Sequence, residues 1–371
     1  MKPVRVLFVS GGSLDRGGIA SWMLNYAFRF DQSKVETDFL VHGVEPGARE
    51  SEAIALGAKV WHVPYRREDP FGNRKGIQKA IAAGYDVVHA HMDGMNAYPL
   101  KIAKQLGVAI RVSHSHNTDY LTANPVKRFV HEAARRRIPA YATHLLACSE
   151  AAGRFLYGDA LYDAGKVMIV RNAIEAERYR FREADRERLR EQFGFQERFV
   201  IGQIGRFDLR QKNQLFLLRA FAEAKKTRPD LALILVGDGS DRKAIETGIR
   251  EYGLEHDVLL TGYRDDVSSL LSAFDLFALP SNFEGLGIVL IEAQASGLCC
   301  LASDAIPADT KITNCSYLPV SDPCDWADAF CAAKIGKDRT LPKEELSKHG
   351  YEIQREAKTL ETFYREAVNG K

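Results

Sequence analysis

The sequence predicts an α/β protein made of two doubly wound domains that face each other across a cleft. Short apolar segments alternate with amphipathic segments of helical length along most of the chain, which is typical of parallel sheets covered by helices. The apolar segments, such as Asp86-Val87-Val88-His89, lack the two-residue alternation of a sheet with one solvated face. At 371 residues the chain is too long for one typical core. Such sheets bind ligands at the carboxyl ends of their strands.

The first domain is predicted over residues 1–170. Its expected strands are Val4–Val9, Val35–Val41, Lys59–Val63, Asp86–His91, Val108–Ser113 and Thr143–Cys148. Its expected helices are Ile19–Phe30, Glu50–Leu56, Gly76–Ala83, Asn96–Leu106, Lys127–Ile138 and Ser149–Leu156, the last one capped by Ser149. The alternation of predicted strands and helices is interrupted over Val167–Phe181, where we place the domain boundary.

The second domain is predicted over residues 171–350. Its expected strands are Phe199–Ile204, Leu231–Val236, Val258–Leu260, Asp275–Leu279 and Leu298–Ala302. Its expected helices are Glu183–Gln192, Gln214–Lys225, Ser240–Tyr252, Val267–Ala273 and Gly287–Ala295. The remaining residues, 351–371, contain a long amphipathic helix, Tyr351–Val368, that we expect to pack back toward the first domain.

Composition excludes several classes of protein. The net charge of +2 is not that of a nucleic-acid-binding protein, and no apolar run is long enough to cross a bilayer. The chain starts with a strand followed by glycines instead of a signal peptide, so a cytoplasmic location is expected. The six cysteines are then expected to be reduced, and they lack the paired spacing of a zinc site.

The segment from Glu284 to Glu292 carries the strongest functional signal. An apolar strand runs into it, and Gly285 and Gly287 open an apolar helix. Glycines at a helix start let a ligand approach backbone N–H groups, and the helix dipole favours an anion there. The eight-residue spacing is expected to keep Glu284 and Glu292 on one side of the helix. A phosphate cradle flanked by two acids suits a nucleotide-activated sugar; the alternative is an ordinary turn with two solvated glutamates.

Three more loops of the second domain are expected at strand ends. Arg206 and Lys212 lie on one strand-to-helix connection, where both can bind a diphosphate and stabilise its departure, or are simply solvated bases. Gly237 lies in a tight turn that can face a nucleotide, and Tyr263 or Arg264 can line a base pocket. Asp265-Asp266 is expected to cap a helix. No Asp-x-Asp sequence is present, which favours cationic side chains over a metal ion for holding a diphosphate.

The first domain contributes glycines and histidines. Gly17-Gly18 precedes a helix and is a second candidate for phosphate approach, although a lone Gly-Gly pair is weak evidence. Histidines stand in pairs at two predicted strand ends: His89, His91, His114 and His116. A sugar-binding or catalytic wall is one interpretation, because histidine donates to hydroxyls and phosphates at neutral pH. A zinc site is the other.

The order of these features resembles the retaining glycosyltransferases of family four, which have the GT-B fold. The resemblance covers most of the chain and is closest to bacterial exopolysaccharide and capsule glycosyltransferases. It rests on Gly17-Gly18, Ser113-His114-Ser115-His116-Asn117, Ala147-Cys148-Ser149-Glu150, Arg171-Asn172-Ala173-Ile174, Gly205-Arg206-Phe207, Lys212-Asn213, Gly237-Asp238-Gly239 and the two glutamates. The chain departs from the family pattern at Asp304-Ala305-Ile306-Pro307, where the family has Gly-Gly.

The resemblance implies roles for individual residues. Arg206 and Lys212 match the diphosphate-binding pair, Glu292 the acid that holds the ribose, and Glu284 the acid that contacts sugar hydroxyls. The backbone of Gly285, Leu286, Gly287, Ile288 and Val289 would meet the sugar and phosphate. Gly18 would let its loop close on the diphosphate. A histidine of the family contacts the donor sugar near the anomeric carbon, and both His114 and His116 match it.

The resemblance therefore implies retaining, metal-independent transfer of a hexose or related sugar from a nucleoside diphosphate sugar, with a UDP-sugar favoured, to a glycan or lipid-linked acceptor. No cofactor is expected. Two alternatives are an epimerase or phosphorolytic enzyme with the same two sheets, and a non-catalytic sugar-nucleotide-binding module. The set of Arg206, Lys212, Glu284 and Glu292 disfavours the first alternative, and the intact Glu284 and Lys212 argue against the second.

The helix predicted over Lys127–Arg137 is rich in basic residues and carries Phe129, Val130 and Ala133. Such a helix can lie on an anionic bilayer, so a peripheral location on the inner face of the plasma membrane is one expectation. A solvated basic helix is the alternative.

Overall fold

The computed structural model describes residues 2–120, 124–336, 339 and 343–370. The chain divides into two compact units, each built on a parallel sheet, which confirms the predicted fold class. Unit 1 comprises Met1–Ala173 and Gly350–Lys371, and unit 2 comprises Ile174–His349. Within the described ranges, every helix is too short or too polar to span a bilayer.

Unit 1 has a seven-stranded sheet in the order β3-β2-β1-β4-β5-β6-β7. The strands are β1 (Val4–Ser10), β2 (Val35–His42), β3 (Val60–Val63), β4 (Val87–His91), β5 (Ile110–Ser115), β6 (His144–Ala147) and β7 (Val167–Ile169). Its helices are α1 (Gly18–Ala27), α2 (Glu50–Ala55), α3 (Pro70–Ile81), α4 (Ala97–Gln105), α5 (Pro125–Arg135), α6 (Ile138–Tyr141), α7 (Glu150–Tyr157) and α8 (Asp159–Asp163). The strand order reverses between β1 and β4, where Ser10 is paired with His91.

Unit 2 has a six-stranded sheet in the order β10-β9-β8-β11-β12-β13. The strands are β8 (Phe199–Ile204), β9 (Leu231–Val236), β10 (Val258–Gly262), β11 (Leu276–Leu279), β12 (Cys299–Ser303) and β13 (Cys315–Leu318). Its helices are α9 (Glu183–Phe193), α10 (Leu209–Lys212), α11 (Gln214–Lys225), α12 (Arg242–Glu251), α13 (Val267–Ala273), α14 (Ile288–Ala295), α15 (Pro323–Ala332) and α16 (Lys343–Lys348). The order reverses between β8 and β11, which places the loops after these strands at the topological switch point.

The final helix, α17 (Ile353–Asn369), belongs to unit 1, as its amphipathic pattern predicted. Glu352 caps it by accepting the Arg355 N–H at 3.0 Å. Leu360 and Tyr364 are fully buried in the core between α17, α1 and one face of the sheet. Neighbouring residues of β1 point to opposite faces: Phe8 joins this core and Leu7 joins the core on the other face. Burial on both faces explains why the strands lack alternation.

Several predicted elements differ from the structure. Helix α3 begins at Pro70 instead of Gly76, because Asp69 caps it by accepting the Gly72 N–H at 2.8 Å. The predicted helix Lys127–Ile138 is two helices, α5 and α6; Pro139 has no N–H to bond the Arg135 carbonyl, so a continuous helix is broken there. The short strands β7 and β13 were not predicted.

Candidate active site

Three loops at the carboxyl edge of the unit 2 sheet are joined by backbone hydrogen bonds. The Gly205 N–H donates to the Val236 carbonyl at 2.9 Å, and the Gly237 N–H donates to the Gly262 carbonyl at 3.0 Å. Gly237 has a φ of +139°, and a Cβ there would lie 2.0 Å from the Gly205 carbonyl oxygen. Only glycine fits at this position. The loops that follow β8, β9 and β10 are therefore fixed relative to one another.

Lys212 and Glu284 form a buried ion pair at this edge, although they lie far apart in the sequence. Glu284 is only 5% exposed. Its carboxylate also accepts the Ser281 hydroxyl at 2.7 Å and the Gln211 amide at 3.3 Å. A buried charge requires this many partners to offset the loss of water. The sequence predicted Lys212 and Glu284 as site residues; Ser281 and Gln211 give no sequence signal, because only the tertiary fold brings them to Glu284.

Arg206 differs from Lys212 in its exposure. Its side chain is 56% exposed, and its salt bridge to Asp208 is long, at 3.4 Å. A guanidinium held this weakly can turn toward an anion and bind it with two N–H groups. Arg206 and Lys212 therefore offer one mobile and one fixed positive charge on the same connection.

The turn from Glu284 to Gly287 precedes helix α14. The expectation that both glutamates share one helix face is wrong, because the helix begins only at Ile288 and Glu284 lies in the turn before it. Gly287 has a left-handed φ of +81°, which ends the turn and starts the helix. The cap residue, Gly287, has no side chain that could cap α14. Its first N–H groups and the positive end of its dipole can therefore serve an anion.

Glu292 lies within α14 and is half-buried. The Tyr179 hydroxyl donates to its Oε1 atom at 2.8 Å. Tyr179 was not predicted as a site residue, because nothing in the sequence relates it to a residue 113 positions away. The contact fixes one carboxylate oxygen and thereby orients the other.

The remaining predicted residues of unit 2 lie in the loop after β10. The Tyr263 ring is exposed, and its hydroxyl donates to the Asp238 carbonyl at 3.2 Å. Arg264 donates to both oxygens of Asp266 at 2.8 and 2.7 Å. Asp266 occupies the cap position of α13, but its side chain makes no capping hydrogen bond because it binds Arg264, so the predicted capping role is wrong for Asp266. The exposed ring of Tyr263 is available for stacking on a base.

In unit 1, Gly17 and Gly18 open helix α1 after β1. Gly17 occupies the cap position with an extended backbone, and no side chain caps the helix. In the described part of the chain, no atom beyond the neighbouring residues lies within 4 Å of a Cβ built on either glycine. The space is open for a ligand to approach this helix start.

The four predicted histidines form one buried cluster at the carboxyl ends of β4 and β5. His91 Nδ1 lies 2.8 Å from His116 Nε2, and His114 Nδ1 lies 3.2 Å from His89 Nε2. The Trp22 ring packs edge-on or tilted against all four imidazoles. Three nitrogens of the cluster are buried without a hydrogen-bond partner among the described residues: His91 Nε2, His114 Nε2 and His116 Nδ1.

Burial governs the charge of this cluster. It lowers the pKa of His89, His91 and His114 well below the ordinary value and lowers the pKa of His116 to about 3. All four rings are therefore neutral at pH 7, each with one N–H and one lone pair. Asp93 supports the loop beyond β4, since its carboxylate accepts the His116 backbone N–H at 2.9 Å and the Asn117 amide at 2.5 Å.

The geometry bears on the zinc alternative. One ring nitrogen from each of His89, His91 and His114 lies within 4.8 Å of the other two. Zinc lies about 2.0–2.1 Å from its nitrogen ligands, so two nitrogens that share one ion are less than about 4.2 Å apart. The 4.8 Å limit does not ensure that spacing. Both nitrogens of His89 already have partners. The arrangement favours a hydrogen-bonding wall, and the zinc site stays an untested alternative.

Comparison with known proteins identifies the family. Residues 16–178 match the model of "Glycosyltransferase Family 4", and residues 185–314 match "Glycosyl transferases group 1". The chain is 36% identical over 371 residues to EpsF of Bacillus subtilis (strain 168), named as a glycosyltransferase, covering 97% of this chain and 96% of EpsF. It is 27% identical to an Escherichia coli UDP-Gal:alpha-D-GlcNAc-diphosphoundecaprenol alpha-1,3-galactosyltransferase, over 59% of this chain and 58% of that protein.

A solved structure shares the fold. The HepE protein of Anabaena, in complex with UDP-glucose, superposes with a TM-score of 0.74 at 22% identity, covering 98% of this chain and 96% of HepE. With two doubly wound units, matches to both domain models and a relative similar over nearly its whole length, the chain belongs to the glycosyltransferases of the GT-B fold.

Proposed function

We propose that this glycosyltransferase moves a hexose or related sugar from a nucleoside diphosphate sugar, UDP-sugar favoured, to a glycan or lipid-linked acceptor in bacterial surface polysaccharide biosynthesis. We further propose that transfer retains the anomeric configuration and needs no metal. The observation that carries the proposal is the edge of unit 2, where Arg206, the Lys212–Glu284 pair and the start of α14 present positive charge and N–H groups beside an acid. The UDP-sugar in the name of the E. coli relative supports the choice of donor.

Each group has a role in binding the donor. Arg206 and Lys212 hold the diphosphate, together with the backbone of Gly285–Val289. Gly18 leaves room for the diphosphate to approach the start of α1. Glu284 accepts a sugar hydroxyl in addition to its contacts with Lys212, Ser281 and Gln211, since a carboxylate has about four acceptor positions. Glu292 accepts the ribose hydroxyls, while the Tyr263 ring, Gly237 and Arg264 lie nearest the base. Since the cations and dipoles supply the positive charge, a divalent ion is not needed.

Retention follows from a same-face reaction. The bond from the anomeric carbon to the diphosphate oxygen breaks, and the acceptor oxygen bonds to the same face of that carbon. The acceptor proton passes to the departing diphosphate. Arg206 and Lys212 stabilise the negative charge that develops on this leaving group. His114 or His116 donates a hydrogen bond to the sugar near the reacting carbon.

Turnover distinguishes this proposal from its rivals. With UDP-hexose and a lipid-linked or glycan acceptor, we expect transfer that persists in EDTA and yields a product with the donor's anomeric configuration, read by NMR. Loss of activity in EDTA with recovery on adding Mn²⁺ or Mg²⁺ contradicts metal independence. An inverted product contradicts retention. Epimerised donor without acceptor transfer favours the epimerase, and binding without any turnover favours the non-catalytic module.

The two glutamates are expected to separate in their effects on binding. Glu292→Gln should weaken UDP binding, because an amide accepts two ribose hydroxyls less well than a carboxylate does. Glu284→Gln should slow sugar transfer while leaving the affinity for bare UDP nearly unchanged. Calorimetry with UDP measures both, with Glu255→Gln, an exposed substitution in unit 2, as the control. Equal losses of UDP affinity in the two variants contradict this division of roles.

We also propose that helix α5 docks on an anionic membrane surface, as the inner face of the plasma membrane provides. None of its side chains is buried, and Val126, Phe129 and Val130 form an exposed apolar stripe, with Phe129 73% exposed. Ala133, expected to join this face, is half-buried. Lys127, Arg136 and Arg137 are exposed beside the stripe, although Arg136 also pairs with Glu132 at 3.0 Å. Arg128 and Arg135 are less exposed and pair with Asp119 and Glu132.

Sedimentation with anionic vesicles tests this docking. The wild-type protein should pellet at low salt and less at high salt, because each exposed basic residue is worth about 1 kcal/mol near an anionic surface. Arg136→Gln/Arg137→Gln and Phe129→Gln should each reduce the pelleted fraction. Lys226→Gln/Lys243→Gln removes two exposed charges from unit 2 and serves as the matched control. If all four proteins behave alike, α5 is not the membrane contact and a soluble acceptor is favoured.

A further inference from the structure

A chain of hydrogen bonds links the last helix to the histidine cluster inside unit 1. The Tyr364 hydroxyl lies 2.6 Å from His89 Nδ1, and His89 Nε2 lies 3.2 Å from His114 Nδ1. All three side chains are fully buried. We propose that Tyr364 is a positioning residue that fixes the tautomers of His89 and His114, so that His114 presents an Nε2–H donor. The link to transfer rests on the proposed function.

The direction of the first hydrogen bond sets all the others. Among the described residues, His89 Nδ1 is the partner that the structure gives to the Tyr364 hydroxyl. If His89 donated instead, the hydroxyl hydrogen would be buried without an acceptor, at a cost of about 1–3 kcal/mol. Burial also raises the pKa of Tyr364 well above its ordinary value, so the hydroxyl keeps its proton. Tyr364 therefore donates and His89 Nδ1 accepts.

The tautomers then follow one after the other. A neutral imidazole with an accepting Nδ1 carries its only proton on Nε2. His89 Nε2–H therefore donates to His114 Nδ1, and His114 must carry its own proton on Nε2. Burial keeps both rings neutral by lowering their pKa values, and for His114 the nearby Val170 backbone opposes this effect only in part.

The far end of this chain is the Nε2 atom of His114, which is fully buried beside the Val170 backbone and has no other hydrogen-bond partner among the described residues. The His91–His116 pair uses one donor and one acceptor, which leaves one N–H and one lone pair on its other two nitrogens. The cluster thus offers two N–H groups and one acceptor. That set fits hydroxyl or phosphate oxygens, which accept hydrogen bonds, better than it fits a cation.

Nitrogen-15 NMR of labelled histidines reads these tautomers directly, since protonated and bare ring nitrogens give separate signals. His89→Gln and His114→Gln assign the signals. In the wild type, we expect the Nε2–H tautomer for both His89 and His114. Tyr364→Phe keeps the ring and removes only the hydroxyl. In this variant the ratio of the Nε2–H to the Nδ1–H tautomer of His89 should fall about tenfold, the equivalent of about 1.4 kcal/mol. Tyr85→Phe removes a buried hydroxyl that is bonded to Asp38 and lies before the start of β4, whereas the cluster lies at the carboxyl end, so the pattern should stay unchanged.

Two results overturn the proposal: the Nδ1–H tautomer at both histidines in the wild type, or an unchanged pattern in Tyr364→Phe. Kinetics provides the second measurement. Tyr364→Phe should lower kcat for transfer several-fold with little change in the KM for the donor, whereas Tyr85→Phe should change neither. A shifted tautomer with unchanged kcat would support the hydrogen-bond chain and contradict the role of His114 in the proposed function.

Discussion

Arg206→Ala is expected to lower kcat for sugar transfer by about 10²–10³-fold, the usual cost of removing one donor from a developing negative charge. Its thermal midpoint should stay that of the wild type, because the Arg206 side chain is largely exposed and its contact with Asp208 is long. Steady-state kinetics and calorimetry measure the two quantities. Arg250→Ala, an exposed arginine in the last turn of α12, is the matched control. Wild-type turnover in Arg206→Ala would contradict the diphosphate assignment.

Lys212 requires a different design, because it is the partner of a buried carboxylate. Lys212→Ala should lose activity to a similar degree but also lose about 3–5 kcal/mol of stability, since the buried Glu284 carboxylate is left without its cationic partner. The double variant Lys212→Met/Glu284→Gln removes both charges and should recover most of the stability while staying inactive. An active double variant would show that neither charge acts on the donor.

Acidification is expected to destabilise unit 1 between pH 6.5 and pH 5.5. The unfolded chain binds a proton at each of the four clustered histidines below pH 6.5, whereas the folded cluster stays neutral because burial lowers these pKa values. The histidines' contribution to stability is therefore present above pH 6.5 and is lost as the pH falls toward their folded pKa values. The slope is about 1.4 kcal/mol per pH unit for each histidine, or roughly 6 kcal/mol for four at pH 5.5.

Urea unfolding at pH 8, 6.5 and 5.5 measures this loss, which is comparable with the whole stability of many domains. In a His91→Gln variant, the free energy of unfolding should depend less steeply on pH, because one fewer proton is taken up on unfolding. His256→Gln removes an exposed histidine and should keep the wild-type dependence. Equal stability at pH 8 and 5.5 would mean that the cluster is charged in the folded protein.

The fold could be predicted from the sequence because strands buried on both faces and amphipathic helices leave local patterns. The errors arose where local patterns are weak or ambiguous. Helix α3 begins earlier because of a capping contact made by Asp69, and the split between α5 and α6 depends on one missing N–H at Pro139. Strand β7 has only three residues, and β13, Cys315-Ser316-Tyr317-Leu318, lacks the continuous apolar run of the strands that were predicted.

The arrangement of the candidate site was predictable only in part. Glycines before helices and the two glutamates stand close together in the sequence, so Gly287, Glu284 and Glu292 could be named in advance. Their partners are distant: Gln211 lies 73 residues from Glu284, and Tyr364 lies 275 residues from His89. No spacing rule connects such residues, because only the packed fold brings them together.

The backbone contacts at the unit 2 edge have a consequence for how specificity can change. Since main-chain hydrogen bonds join the loops after β8, β9 and β10, the side-chain contacts of Asp238 and Tyr263 add to that support without being its only source. A library that randomises Asp238 and Tyr263 but keeps Gly205 and Gly237 should retain folded members at high frequency. Selection from such a library for a new nucleotide base can then proceed without compensating mutations elsewhere.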